Sequence, residues 1–139
     1  MIEVEIAMQK LLGLVAAGDD DWKVLFAKNL MECGCDVQTI SDGGNALGQA
    51  RRQRYDIVIL DESLPGTGRI EFVLNLREVA PRMPVIMVTG KLQEKERDVL
   101  SRCEVFFAGA RSQALSKVRE AVSRASSALA AQKESAPSK

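Results

Sequence analysis

Asp56-Ile57-Val58-Ile59-Leu60-Asp61-Glu62-Ser63-Leu64-Pro65 is the stretch that decides the fold. Four consecutive apolar residues, Ile57 to Leu60, suit a strand buried on both faces, as in the middle of a parallel sheet. Asp61 follows at once, where open α/β sheets place their chemistry, in the crevice beyond the carboxyl ends of the strands. Glu62 and Ser63 are polar, and Pro65 lacks the N–H a ladder needs, so the strand ends there. Taken alone, an acid in this position equally well caps a turn.

Working outward, the same alternation of apolar run and helical spacing recurs. Leu11 to Ala17 reads as a first strand and gives way to Gly18 and three aspartates, of which Asp19, Asp20 or Asp21 serves as N-cap. Trp22, Leu25, Phe26, Leu30 and Cys33 then recur at helical spacing, with Gly34 as the stop. Cys35 to Ile40 predicts a second strand, and Ser41 to Gly44 a turn into a helix carrying Ala46, Leu47 and Ala50. Gly43, Gly44 and Gly48 match neither a dinucleotide-binding fingerprint nor a P-loop, so they are read as a turn.

Past the central strand, Ile70, Val73, Leu74 and Leu76 mark a third helix, closed before Pro81 and Pro84. Pro84 to Thr89 predicts a fourth strand ending on a hydroxyl, and Lys91 to Arg102 a charged helix anchored mainly by Leu92, Val99 and Leu100. Glu104 to Ala108 predicts a fifth strand. The last helix is expected from about Ser112 to about Ala131, with Leu115, Val118, Val122, Ala125 and Leu129 on one face. Residues 1–9 are left as an N-terminal extension, 10–131 as the domain, and 132–139 as a tail or linker.

Strand followed by helix, five times over, is the pattern of a doubly wound α/β sheet. Five such units in this length fit the flavodoxin-like order 2-1-3-4-5, with strands one and three adjacent at the switch point. That order gathers Asp19 and Asp20 after strand one, Asp61 after strand three and Thr89 after strand four: groups suited to a hard cation and a phosphoryl oxygen.

Composition narrows the chemistry. With 139 residues the chain suits one domain. Lys plus Arg and Asp plus Glu are both 19, so the net charge offers no field for nucleic acid or an anionic membrane. Histidine is absent, which excludes histidine general-base catalysis, phosphotransfer from a histidine of this chain and His-ligated zinc. Cys33, Cys35 and Cys103 are an odd set without a signal pattern ahead of them, which points to a reducing cytoplasm and to packing. No apolar run reaches the length that spans a bilayer.

On these residues the chain resembles the receiver domains of bacterial two-component response regulators over roughly residues 10–130. The resemblance places Asp61 on the family's phospho-acceptor, with Pro65 four residues on, Thr89 on its hydroxyl position, and Phe106 or Phe107 near its strand-five aromatic. It implies a signalling module rather than an enzyme, with a sensor histidine kinase or other protein as partner and Mg2+, held weakly by Asp19, Asp20 and Asp61, as cofactor. The departures are equally specific. Ala17 and Gly18 stand where the family has two adjacent acids, and Phe107-Ala108-Gly109-Ala110 lacks the family's strand-five lysine and proline, leaving Arg111 as the nearest cation.

Two functional classes follow: a switch driven by phosphorylation of Asp61, and a phosphorylation-independent pseudo-receiver that binds a protein. A third, a flavodoxin-like enzyme binding nucleotide or flavin, lacks a phosphate-cradling loop after strand one. The apolar stripe of the last helix extends past what the sheet is expected to cover, suggesting a homodimer or partner contact through the fourth helix, fifth strand and fifth helix.

Overall fold

The computed structural model describes residues 10–66 and 68–134. Five strands and five helices alternate among them: β1 (Leu12–Ala16), α1 (Asp20–Glu32), β2 (Asp36–Ile40), α2 (Gly43–Arg52), β3 (Ile57–Leu60), α3 (Arg69–Val79), β4 (Val85–Val88), α4 (Glu94–Arg102), β5 (Phe107–Gly109) and α5 (Arg111–Glu134). The strands form one parallel sheet in the order β2-β1-β3-β4-β5, the flavodoxin-like order that the sequence implies. The expected extension, residues 1–9, and the end of the expected tail, residues 135–139, lie outside the described residues.

Alternation along β3 divides its side chains between two cores. Ile57 and Ile59 join Phe26 and Leu30 of α1 and Val118 and Val122 of α5 on one face. Val58 and Leu60 join Ala46 and Ala50 of α2, Phe72 and Leu76 of α3, and Leu100 of α4 on the other. A strand apolar at every position is what a sheet covered on both faces requires.

The structure corrects several details of the periodicity. Leu25 and Leu74, expected on inner faces, are 40% and 47% exposed. Ala27 and Phe72 are buried instead, each helix turning a phenylalanine, Phe26 or Phe72, onto the sheet. The fifth strand begins three residues later than expected, at Phe107. Glu104 takes a positive φ of 53° to end α4, so it and Val105 are used in the turn. Helix α4 begins only at Glu94, where the Glu96 side chain accepts the Gln93 N–H at 3.0 Å, and Leu100 is its one buried residue, in keeping with a weakly anchored element. On α5, Leu115 and Leu129 pack partly against their own core, so the apolar stripe expected to need a partner is covered in part within the domain.

One tether had no periodic signal. The half-buried Arg77 of α3 donates to the carbonyls of Cys103 (2.6 Å), Ala80 (3.0 Å), Met83 (2.7 Å) and Glu104 (3.1 Å), tying the end of α3 to the start of β4 and the end of α4.

The inward rotation of α3 gives a direct comparison. Phe72→Ala is expected to cost about 3–5 kcal/mol through lost burial and a cavity, while Leu74→Ala changes stability by no more than about 0.5 kcal/mol. Urea unfolding of the two variants measures both, and similar losses would contradict the orientation of α3.

Candidate functional site: a buried acid gripped by arginine

Asp61 leaves β3 level with the end of β1, since its N–H donates to the Ala16 carbonyl at 2.9 Å. It is fully buried. Taking a carboxylate out of water costs several kcal/mol unless its oxygens are paired, and here both are. Arg111 donates from Nε to Oδ1 at 3.1 Å and from an Nη to Oδ2 at 3.0 Å, a bidentate contact. Ser63 donates to Oδ2 from both its hydroxyl and its backbone N–H.

The Ser63 hydroxyl also accepts the N–H groups of Gly18 (3.0 Å) and Asp19 (2.8 Å), so it ties the loop after β3 to the loop after β1. This approach explains Gly18. A Cβ there would lie 2.4 Å from the Ser63 carbonyl oxygen, too close for any side chain. An acid at this position, as in the family's pair, is sterically excluded while the loop keeps this path.

Asp19 is the N-cap of α1, accepting the Trp22 N–H at 3.1 Å, and its other oxygen lies 3.6 Å from Arg111. Trp22 offers its ring face to the same guanidinium, 5.2 Å from the ring centroid. Asp19, Asp61, Arg111 and Trp22 thus form one group.

Asp20 does not join them. Expected beside Asp61 as a metal ligand, it points to solvent and pairs with Lys23 at 3.0 Å, because it occupies the first turn of α1 while Asp19 takes the cap. Among the described residues no cluster of three or more acids, cysteines or histidines could hold a metal ion. The donor set therefore does not fit the expected Mg2+: Mg2+ demands near-octahedral oxygen ligands at about 2.0–2.1 Å, and the two carboxylates that do converge are engaged by Arg111.

Thr89, at the end of β4, is buried, and its hydroxyl has no hydrogen-bond partner among the described residues. It does not bond to its own turn, the alternative that its strand-end position leaves open.

Burial is the largest single influence on the Asp61 carboxyl and pushes its pKa up. The hydrogen bonds from Arg111 and Ser63 and the arginine's charge together outweigh it, so the carboxyl is held below its ordinary range. The Arg111 guanidinium is pushed up, first by its hydrogen bonds to Asp61. Cys35, by contrast, has its thiol raised to about 11, chiefly by burial, consistent with a packing role.

Sequence reasoning marked Asp61, Asp19 and Thr89 and named Arg111 only as the nearest cation. It missed Ser63 as the hub of both loops; the signal was a hydroxyl two residues past a strand-end acid, the spacing at which a side chain folds back on the acid.

With this geometry in place, comparison with known proteins is specific. The chain belongs to the response regulator receiver domain family, whose model matches residues 15–106. It is 34% identical over 84 residues to the alkaline phosphatase synthesis transcriptional regulatory protein PhoP of Bacillus subtilis, covering 60% of this chain and 35% of that one. The chain thus spans about a third of the length of this curated relative. Among solved structures, the CheY-like receiver domain protein of Methanospirillum hungatei superposes with a TM-score of 0.74 at 17% identity, over 86% of this chain and 98% of that one. A response regulator of Burkholderia pseudomallei, solved with a phosphorylated aspartic acid, calcium ion and citrate, gives 0.69 at 17% identity, over 93% and 76%. At such identities the structures establish the fold. Receiver domains are signalling modules of two-component systems and work with sensor histidine kinases and other proteins. No helix among the described residues is long and apolar enough to cross a membrane.

The unpartnered Thr89 hydroxyl yields an expectation. A buried hydroxyl without a partner costs about 1–3 kcal/mol, so Thr89→Val, similar in volume, should leave stability unchanged or raise it by about 1 kcal/mol. Thermal unfolding checks this, and a marked loss would mean that the hydroxyl has a partner after all.

Proposed function

We propose that the chain is a receiver module that accepts a phosphoryl group on Asp61 and passes the change to a protein partner. The observation that carries this reading is a buried acid and a buried, unpartnered hydroxyl at adjacent strand ends. Asp61 lies one residue past Leu60, and Thr89 two residues past its register partner Met87. A hydroxyl kept dry and unbonded has a use once a phosphoryl oxygen arrives beside it.

In the transfer, a carboxylate oxygen of Asp61 attacks the phosphorus of a phosphohistidine or small acyl phosphate. The new O–P bond forms as the donor's bond to phosphorus breaks and the leaving group keeps the electron pair: imidazole takes up a proton from solvent, and a carboxylate leaves as its anion. In this reading Ser63, which already donates to Asp61, holds the reacting carboxylate, and Thr89 binds the phosphoryl oxygens. The partner face we assign is α4 with β5 and α5, the elements that continue from Thr89 and Arg111. The donor is a sensor histidine kinase, and the setting cytoplasmic.

A specific observation favours a second reading, the phosphorylation-independent binding module. Asp61 has no exposed surface and both of its oxygens are engaged, so Arg111 must withdraw before the acid can attack. Incubation with acetyl phosphate followed by intact mass separates the two. Slow gain of a single phosphoryl group, absent in Asp61→Asn, supports the first. Labelling that survives in Asp61→Asn overturns the assignment of Asp61, and a wild-type chain that stays unlabelled decides for the binding module.

A further inference from the structure

The acid pocket already contains a cation. Arg111 engages both oxygens of Asp61 and lies 3.6 Å from a carboxylate oxygen of Asp19, so one guanidinium serves both acids. We propose that Arg111 is the pocket's resident counter-ion, balancing in cis the charge that a divalent metal would otherwise balance, and that it excludes metal while it is in place.

Three features besides the distances support this. First, Arg111 is the first residue of α5, where the positive end of the helix dipole disfavours a cation. Its position therefore does not serve the helix; the two acids hold it. Second, the guanidinium lies over the ring of Trp22 while it makes the fork-to-carboxylate contact that arginine makes and lysine cannot. Third, among the described residues the pocket offers a metal no acid beyond the two that Arg111 already holds. Ser63 crowds Gly18 too closely for a side chain, Asp20 is turned away to Lys23, and every oxygen of Asp61 is already bonded.

A guanidinium and a metal ion would compete for the same two oxygens, so removing one should admit the other. Arg111 also links Asp61 to α5 through this ion pair, so whatever displaces the guanidinium changes the environment of Trp22, the chain's single tryptophan.

The inference is independent of phosphoryl transfer and is tested without a phosphodonor, by melting temperature and Trp22 emission in EDTA and in rising MgCl2. The wild-type chain should respond in neither. Arg111→Ala should melt lower in EDTA, recover part of that loss with saturation at millimolar MgCl2, and lose the recovery in Arg111→Ala/Asp61→Asn. Arg111→Lys, which keeps a charge but not the bidentate contact, should show a weaker response of the same kind and is the deciding variant if Arg111→Ala fails to fold. A wild-type response saturating below millimolar Mg2+ and abolished by Asp61→Asn would overturn the proposal, as would folded arginine variants that ignore Mg2+.

Discussion

The bidentate contact between Arg111 and the buried Asp61 is the constraint to which the rest of the site is fitted. A carboxylate with no exposed surface is tolerable only when its lone pairs are used, and the arginine and Ser63 use them. Holding Ser63 over the acid brings the loop after β3 onto the loop after β1, and that contact leaves room for glycine alone at position 18. The same contact fixes the start of α1, where Asp19 caps the helix and Trp22 backs the guanidinium. A single ion pair thereby joins the ends of β1 and β3 to the first turns of α1 and α5.

The scaffold makes that precision affordable. Strand β3 is apolar at every position because helices cover both faces of the sheet, and its neighbours β1 and β4 hold it in register at Ala16, Leu60 and Met87. Only past those positions does polarity return, as Asp61 and Thr89. The departures from the family's usual residues form a consistent set. Where two acids and a lysine would share charge with a metal, this chain has Ala17, Gly18 and Asp19 on one side and Arg111 on the other.

Much of this was legible in the sequence because it is local. Short apolar runs broken by Gly, Pro and Asp gave the five strands and their order, and a polar residue directly after a buried run located Asp61 and Thr89. What was not legible depends on distance or on phase. The Arg111–Asp61 contact spans 50 residues of chain, and nothing near either residue marks the other. Leu25 and Leu74 fit the helical spacing as well as the residues that are buried, and which aromatic turns inward is settled by tertiary packing. The late start of β5 follows from Glu104, a residue without the glycine signature of a positive φ.

The central claim is that Asp61 and Arg111 stabilise the fold as a charged pair, and a double-mutant cycle measures that directly. Wild type, Asp61→Asn, Arg111→Ala and the double variant would be unfolded in urea across pH. Because the folded carboxyl's pKa is depressed, the pair's contribution should be complete above the unfolded value of about 3.9 and lost as pH falls through the lower folded value. The account expects a coupling energy of about 2 kcal/mol or more near neutral pH, shrinking toward zero in acid. Additive single variants, within about 0.5 kcal/mol at neutral pH, or a coupling indifferent to pH, would contradict it.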